Sequence, residues 1–337
     1  IRPHLLELKP YSSARDDFDG QASVYLDANE NPNDTGFNRY PDPHQQELKQ
    51  HIARIKAITT DRIFLGNGSD EPIDLLIRAT CTPGKDRILI PVPTYGMYRV
   101  SAAIHNVAVD TVSLNADFSL PVDQLLGAVT DHTRIIFLCS PNNPTGNRFN
   151  REAVLQVIHT FSGLVVVDEA YIDFCPDEGF LNELESVSNL VILQTFSKAW
   201  GLAGLRLGMC FAHPVITEIL DRIKAPYNIS SLVQSTIATF LTGKTNPPDA
   251  GQIIGNRKWL ADRLSGLSFV YQVFPSDANF LLVRMRNPTG CYRYLRDHGI
   301  ITRDRSHEPC CDGCLRITVG TAEQNEFLLE TLKNFLE

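Results

Sequence analysis

The stretch QTFSKAWGLAGLRLG, residues 194–208, carries the most specific chemistry in the chain. Lys198 follows the hydroxyl side chains of Thr195 and Ser197 and precedes an arginine, Arg206. A lysine amine can form a Schiff base with an aldehyde, while hydroxyl groups and an arginine fork suit a phosphate group. Taken alone, Lys198 would be interpreted as a solvated surface lysine. The combination instead predicts a binding site for pyridoxal phosphate, an aldehyde that carries a phosphate.

Length and composition indicate a globular chain with about two domains. The 337 residues suit that number, and a hydrophobic content of 43% is ample for a buried core. A net charge of −8 argues against a nucleic-acid partner. No apolar run approaches the ~20 residues that a membrane span needs, and we find no signal-peptide pattern. The mostly scattered cysteines are typical of free thiols in a reducing compartment, so we expect a cytoplasmic location.

Apolar runs alternate with helical patterns through the middle of the chain. The runs lie at 63–65, 88–90, 107–112, 135–138, 164–167 and 190–193. Continuous apolar runs are typical of strands buried on both faces of a mostly parallel sheet. Helices between such strands predict a three-layer α/β arrangement. We therefore assign residues 39–228 to a large α/β domain.

The two ends of the chain have different patterns. Residues 1–38 are polar, irregular and interrupted by prolines, which predicts an extended arm. Residues 229–337 alternate helical periods with short apolar runs, which predicts a smaller α+β domain. We expect the N-terminal arm to pack with this smaller domain.

Asp168 ends the apolar run at 164–167, where ligands bind in open α/β sheets. A carboxylate at that point can keep the pyridine nitrogen of the cofactor protonated, which makes the ring an electron sink. Tyr171 follows three residues later and can donate to the phenolic oxygen of the ring. The alternative is a capping aspartate followed by a packed tyrosine.

Three further segments are candidate cofactor contacts. The loop SPNNPTG at 140–146 is typical of a tight turn, but its place after a strand favours Asn143 as a second partner of the phenolic oxygen. The glycine-rich turn at 66–70 precedes a helix, and helix N-termini bind phosphate. Glu71 stands where a dinucleotide fingerprint needs glycine, so a nicotinamide cofactor is not predicted. Tyr95 is either a ring-stacking residue or a core tyrosine.

Arg303 and Arg316 each follow apolar residues in the last domain. Two strands of a hairpin would bring them to one site, where paired arginines suit a carboxylate or a phosphate. Surface salt bridges are the alternative. The segment between them, HEPCCDGC at 307–314, contains potential zinc ligands. Structural zinc sites draw their ligands from separated pairs, so we expect a turn with free thiols and no metal.

These motifs resemble the histidinol-phosphate aminotransferase family of fold-type I pyridoxal-phosphate enzymes, over nearly the whole chain. The cofactor motifs are shared by many fold-type I enzymes. Other segments narrow the resemblance to the subfamily, namely RYP at 39–41, PTYGMY at 93–98 and LRITVG at 315–320. The resemblance implies a mostly parallel seven-stranded sheet in the large domain. The cysteine-rich segment before Arg316 departs from the family pattern.

The resemblance also assigns roles to particular residues. Lys198 would be the Schiff-base lysine and general base, while Asp168 would pair with the pyridine nitrogen and Tyr95 would stack on the ring. Asn143 and Tyr171 would contact the phenolic oxygen. The expected phosphate ligands are Ser69, Asp70, Thr195, Ser197, Arg206 and, from the partner subunit of a homodimer, Tyr40. The expected substrate ligands are Tyr11, Asn29, Arg303 and Arg316.

The activity that the resemblance implies is transfer of an amino group from histidinol phosphate to 2-oxoglutarate in histidine biosynthesis, with Lys198 moving the proton. Two rivals share the fold: a threonine-phosphate decarboxylase, and an aromatic or broad-range aminotransferase. A cofactor-binding regulator is a third alternative. It would need a DNA-binding module, and the sequence contains no additional basic helix-turn-helix segment.

Overall fold

A computed structural model describes residues 1–10, 12, 14–15, 22–175 and 179–335. The strands are β1 (Ile63–Asn67), β2 (Arg87–Val92), β3 (Ala108–Ser113), β4 (Thr133–Cys139), β5 (Leu164–Asp168), β6 (Leu190–Thr195), β7 (Leu207–Ala212), β8 (Val270–Val273), β9 (Phe280–Met285), β10 (Arg303–Asp304) and β11 (Cys314–Thr318). The helices are α1 (Pro3–Leu6), α2 (Gln46–Lys56), α3 (Asp70–Thr80), α4 (Met97–Ile104), α5 (Val122–Gly127), α6 (Arg151–Thr160), α7 (Pro214–Ile223), α8 (Ser231–Leu241), α9 (Ala250–Ser265), α10 (Pro288–Asp297) and α11 (Ala322–Lys333).

The large domain is built on a seven-stranded sheet in the order β1-β7-β6-β5-β4-β2-β3. The strands from β3 to β6 pair in parallel, whereas β7 is antiparallel to both β1 and β6. β7 reverses direction because only the loop at 196–206 separates it from β6, and a parallel connection needs a longer crossover. The predicted mostly parallel sheet is confirmed, although the apolar runs did not identify β7.

Both faces of this sheet are buried. On β4, Ile136 and Leu138 belong to one core cluster, while Ile135 and Phe137 belong to another. Successive side chains of a strand point to opposite faces, so each face has its own core. Helices α3, α4 and α7 contribute to the core around Phe137, and α2, α5, α6 and α8 contribute to the other. The predicted three-layer architecture is confirmed.

The small domain has a four-stranded antiparallel sheet in the order β10-β11-β9-β8. Leu260 of α9, Leu295 of α10 and Leu328 of α11 pack with Leu281 and Leu315 of the sheet in a separate core. The predicted α+β character of this region is confirmed. Its border with the large domain at residue 228 stays a prediction, because α8 packs with the large-domain helix α2.

The first residues of the N-terminal arm lie against the large domain, and not against the small domain where we expected the arm. The Arg2 amide donates to the Ala79 carbonyl at 2.8 Å, and Leu5 packs on Ala79 and Ile219. Leu6 and Leu8 are apolar too but stay exposed, so the sequence did not indicate which leucine would be buried or which surface it would cover. Within the described residues, no helix has the length and apolar character needed to cross a membrane.

Candidate active site

One cavity of about 450 Å³ collects most of the predicted site residues. It lies beyond the carboxyl ends of β4, β5 and β6, and residues of β10 and β11 complete its wall. Cavities of about 600 and 650 Å³ elsewhere contain none of the predicted site residues. The residues that line the site are Ser69, Asp70, Tyr95, Cys139, Asn143, Asp168, Ala170, Tyr171, Thr195, Ser197, Lys198, Arg206, Arg303, Arg305 and Arg316.

Lys198 lies in the loop that connects β6 to β7. The Gly201 amide donates to the Lys198 carbonyl at 3.1 Å, and the neighbouring Trp200 is buried, so the backbone of the loop is fixed. The lysine Nζ opens to the cavity, 5.5 Å from the centroid of the Tyr171 ring. Desolvation by the cavity walls, followed by the positive charge of Arg316, lowers the pKa of Lys198. More of this amine is therefore uncharged at neutral pH than in a surface lysine.

Thr195 is the last residue of β6, and Ser197 lies at the start of the same loop. The Ser197 amide donates to Oγ1 of Thr195 at 3.0 Å, and that hydroxyl donates to the Leu207 carbonyl at 3.3 Å. Thr195 therefore ties the loop to the first residue of β7. Its predicted contact with a phosphate stays a prediction.

A polar cup forms where this loop meets the turn before α3. Arg206 Nη1 donates to Oγ of Ser197 at 3.4 Å, and its Nη2 lies 3.8 Å from Oδ2 of Asp70. Ser69 is the N-cap residue of α3 but makes no capping hydrogen bond with its side chain. Gly68 has a φ of +72°, and a Cβ there would lie 2.5 Å from Nη2 of Arg206. Together, a helix N-terminus, two hydroxyls and a guanidinium can bind a phosphate. We call Ser69, Ser197 and Arg206 the anion cup.

Asp168 is buried at the end of β5, with 2% of its surface exposed. Its Oδ2 accepts a hydrogen bond from the Tyr98 hydroxyl at 2.5 Å, and its Oδ1 accepts one from the Ala170 amide at 3.1 Å. Burial raises the pKa of Asp168, against the lowering effect of the Tyr98 hydroxyl. Within the described residues it forms no ion pair. A donor or a cation in the cavity would complete its environment.

Aromatic rings border the carboxylate of Asp168. Tyr98 is fully buried and stacks on Phe137 with centroids 4.7 Å apart, while Tyr95 meets Tyr98 edge-on at 5.6 Å. The Tyr95 hydroxyl donates to Oδ1 of Asp70 at 2.9 Å, which holds its ring in the cavity wall. Tyr95 was predicted from the sequence as a site residue, whereas the role of Tyr98 was not. A tyrosine in an apolar helix pattern gives no signal of a buried carboxylate partner.

Asn143, Tyr171 and Arg316 form a chain of polar contacts between the two domains. Arg316 Nη1 donates to Oδ1 of Asn143 at 2.5 Å, and Asn143 Nδ2 donates to the Tyr171 hydroxyl at 3.4 Å. Asn143 and Tyr171 are both buried. Burial, followed by the charge of Arg305, lowers the pKa of Arg316, but an arginine in a protein stays cationic. The chain fixes that guanidinium at the cavity.

Arg303 and Arg316 are direct cross-strand partners on β10 and β11, which confirms the predicted hairpin. Like charges in this arrangement repel one another, and among the described residues neither arginine forms an ion pair. Arg305 also lines the cavity, although the sequence interpretation did not identify it. Arg305 could have been identified from its position two residues after Arg303, because residues i and i+2 of an extended segment lie on the same face. We call Arg303, Arg305 and Arg316 the arginine wall.

Asn29 and Tyr40 do not line this cavity, and Tyr11 lies outside the described residues. Tyr40 is 50% exposed and stacks on Tyr227, with ring centroids 4.5 Å apart. Asn29 is exposed, with a φ of +55°. A single subunit therefore does not bring Asn29 or Tyr40 to the other site residues.

Glu30 holds the segment that carries Asn29 and Tyr40. Its carboxylate accepts hydrogen bonds from Arg15 at 2.6 Å, Arg39 at 2.7 Å and the Tyr40 amide at 2.7 Å. Burial alone would raise the pKa of Glu30, but these donors, Arg39 first, lower it to about 2. The Tyr40 loop is thus anchored, while the Tyr40 ring stacks on Tyr227 and stays half exposed.

The cysteine-rich segment forms successive turns, as predicted. The Glu308 amide donates to the Arg305 carbonyl at 2.9 Å, and the Cys311 amide donates to the Glu308 carbonyl at 3.0 Å. Cys310, Cys311 and Cys314 are free thiols. In the part of the chain that the structure describes, no group of three or more His, Cys, Asp or Glu side chains is arranged to hold a metal ion.

Comparisons with known proteins agree with this fold. The family model described as aminotransferase class I and II matches residues 17–332. A histidinol-phosphate aminotransferase of Cytophaga hutchinsonii is 50% identical over 99% of this chain and 98% of its own, and one of Parabacteroides distasonis is 49% identical over 99% and 97%. The solved structure of the histidinol-phosphate aminotransferase from Clostridium acetobutylicum is 26% identical, with a TM-score of 0.81 over 88% of this chain and 90% of its own. The chain belongs to the class I and II aminotransferase family.

Proposed function

We propose that this protein is a pyridoxal-phosphate-dependent histidinol-phosphate aminotransferase, which exchanges an amino group between histidinol phosphate and 2-oxoglutarate. The observation that carries the proposal is that Lys198 shares one cavity with two anion-binding groups, the anion cup and the arginine wall. Two such groups suit a cofactor phosphate and an anionic substrate. Relatives of this name, half identical over nearly their whole length, support the choice of substrate.

The residues of the cavity fit pyridoxal phosphate. The anion cup would hold its phosphate, and Asp168, a buried carboxylate without an ion pair among the described residues, would accept the N–H of its ring nitrogen. Tyr95 would cover the ring, and Asn143 and Tyr171 would contact its phenolic oxygen. What the cofactor supplies when bound is an aldehyde carbon and a ring that withdraws electrons.

Lys198 is proposed as the general base. Its pKa is lowered by burial and by Arg316, which favours the neutral amine relative to a surface lysine. A neutral Nζ can take the proton from the substrate carbon that bears the amino group, and can then return it as a general acid. The hydrogen-bonded backbone of its loop places Lys198 at the cavity wall, from which the amine can reach the substrate.

Asp168 is proposed to hold a proton on the ring nitrogen of the cofactor. Tyr98 and the Ala170 amide orient the carboxylate and partly offset the raising effect of burial on its pKa. A carboxylate in this environment gains most from a cationic partner, because little solvent is available to screen it.

The arginine wall is proposed to bind the anionic end of each substrate. Arg316, half-buried and held by Asn143, would serve the phosphate of histidinol phosphate and a carboxylate of glutamate in turn. Arg303 lies opposite and would favour the phosphate, which has a third oxygen and more charge. Tyr11 and Asn29 are proposed as further substrate ligands from the resemblance alone.

A cytoplasmic homodimer completes the proposal. Tyr40 lies outside the cavity of its own chain and its ring is half exposed, which fits a residue that reaches the cofactor phosphate of a partner subunit. The anchored loop around Glu30 would present it.

A transamination assay tests the proposed function. Purified protein is mixed separately with histidinol phosphate, phenylalanine and threonine phosphate, each with 2-oxoglutarate, and glutamate formation is coupled to a colour reaction. We expect the highest kcat/KM with histidinol phosphate. Carbon dioxide release from threonine phosphate would instead identify a decarboxylase, and a preference for phenylalanine would identify an aromatic aminotransferase.

A further inference from the structure

Arg305 occupies a position that none of the proposed roles uses. It follows β10 immediately, and its amide donates to the Cys314 carbonyl at 3.0 Å, so the extended pairing with β11 continues through it. Alternation along this extended segment places Arg303 and Arg305 on one face, and both line the cavity. Asp304, between them, binds the Thr289 hydroxyl at 2.8 Å.

The guanidinium of Arg305 is held in place while part of it remains available. Its Nη1 donates to Oε1 of Glu308 at 3.0 Å, whereas its buried Nε has no hydrogen-bond partner among the residues that the structure describes. A guanidinium carries five N–H donors in a planar fork, so one anchoring contact leaves several for a ligand. Glu308 is more exposed than Arg305, so solvent weakens its charge more than that of the arginine.

The turns after Arg305 brace this position. Arg284 donates from Nε to the Asp312 carbonyl at 3.1 Å and from Nη2 to the Cys310 carbonyl at 3.2 Å. The cysteine-rich segment is therefore an ordered loop that begins after Arg305 and ends at β11. Because this loop is ordered, Arg305 loses little conformational freedom when a ligand binds.

The arginine wall has more positive charge than a carboxylate needs. Arg303 and Arg316 face each other directly, and the charge of Arg305 also acts on Arg316. Among the described residues, Glu308 is the only acidic residue that forms an ion pair with the arginine wall, through Arg305. A phosphate monoester offers three terminal oxygens and close to two charges, whereas a carboxylate offers two oxygens and one charge.

We propose that Arg305 is a specificity-determining residue, which binds the phosphate of a phosphorylated substrate together with Arg303 and Arg316 and contributes little to carboxylate binding. This inference rests on the proposed function, because it identifies the arginine wall as the site of the substrate's anionic end. Arg305 would be a third arginine that contacts the substrate phosphate, held at the start of the cysteine-rich loop. It would distinguish the phosphorylated substrate from the carboxylate substrate of the exchange.

Calorimetry on the cofactor-loaded enzyme tests this assignment without turnover. The probes are ethyl phosphate and propionate, which have no amino group to react. We expect Arg305→Ala to raise the Kd of ethyl phosphate about tenfold or more and that of propionate less than about threefold, since a hydrogen bond between charged groups is worth ~10–100-fold. Arg305→Lys keeps the charge and should recover part of the loss. Arg296→Ala, which removes an exposed arginine outside the cavity, should change neither Kd.

Equal losses for the two probes, or no loss for ethyl phosphate, would overturn the assignment. Far-ultraviolet circular dichroism must show that Arg305→Ala is folded, and Arg305→Lys offers the same comparison with less disturbance. The outcome is independent of the amino-transfer assay. A protein that binds ethyl phosphate through Arg305 but does not transaminate histidinol phosphate would retain this inference and lose the proposed substrate.

Discussion

Replacing Arg316 or Arg303 individually by alanine should affect the two half-reactions of amino transfer differently. Arg316 is half-buried and donates to Oδ1 of Asn143 at 2.5 Å, so Arg316→Ala removes a cation and also leaves the amide oxygen without its donor. A hydrogen bond to a charged group contributes ~1.5–3 kcal/mol, which is about ten- to a hundredfold in rate. Because two functions are lost, we expect about a hundredfold loss in kcat/KM for both half-reactions.

Arg303 has an exposed side chain, and solvent screening places its contribution at the lower end of that range. We expect Arg303→Ala to slow the histidinol-phosphate half-reaction about tenfold and the glutamate half-reaction less than about threefold. Single-turnover absorbance changes with each substrate alone measure the two halves separately. Equal losses in both halves for Arg303→Ala would refute the assignment and would favour a general aminotransferase.

Three further perturbations test other parts of the site. Mixing inactive Tyr40→Phe and Lys198→Ala proteins should restore some activity through hybrid dimers, and a monomer at assay concentration, measured by light scattering, would contradict the shared site. Tyr98→Phe removes the 2.5 Å hydrogen bond that orients Asp168; it should lower kcat about tenfold with little change in KM, and an unchanged kcat measured at saturating substrate would exclude this role. Glu30, whose pKa is lowered to about 2, stabilises the fold above pH ~4.5 and loses that effect as the pH falls towards 2. The difference in urea unfolding free energy between wild type and Glu30→Gln should therefore shrink between pH 6 and pH 3, and a constant difference would show that Glu30 does not act through its charge.

The parts of the fold that repeat a local pattern were predictable from the sequence. The apolar runs of β2, β4, β5 and β6 identified the centre of the large sheet. The hairpin of Arg303 and Arg316 was predictable because each arginine follows an apolar stretch. β7 is as buried as its neighbours, but its sequence lies directly after the lysine loop, and only the pairing with β1 and β6 defines it.

The parts that depend on tertiary contacts were not predictable. Tyr98 is separated by 70 residues from Asp168, and no local pattern links an aromatic residue of α4 to the end of β5. Arg305 contacts the cavity only because the extended pairing with β11 continues past β10. Leu5, Leu6 and Leu8 are all apolar, and only the contacts of Leu5 with Ala79 of α3 and Ile219 of α7 show which of them is buried.

Lys198 is expected to bind the cofactor aldehyde. Reduction of the purified protein with borohydride, followed by digestion and mass mapping of the modified peptide, identifies the lysine that does so. Lys224 provides a sharp internal comparison, because burial lowers its pKa too while it lines a different cavity. We predict a single pyridoxyl label on Lys198, and loss of the visible absorption band in Lys198→Ala. A label on Lys224 or on any other lysine would show that Lys198 does not bind the cofactor aldehyde.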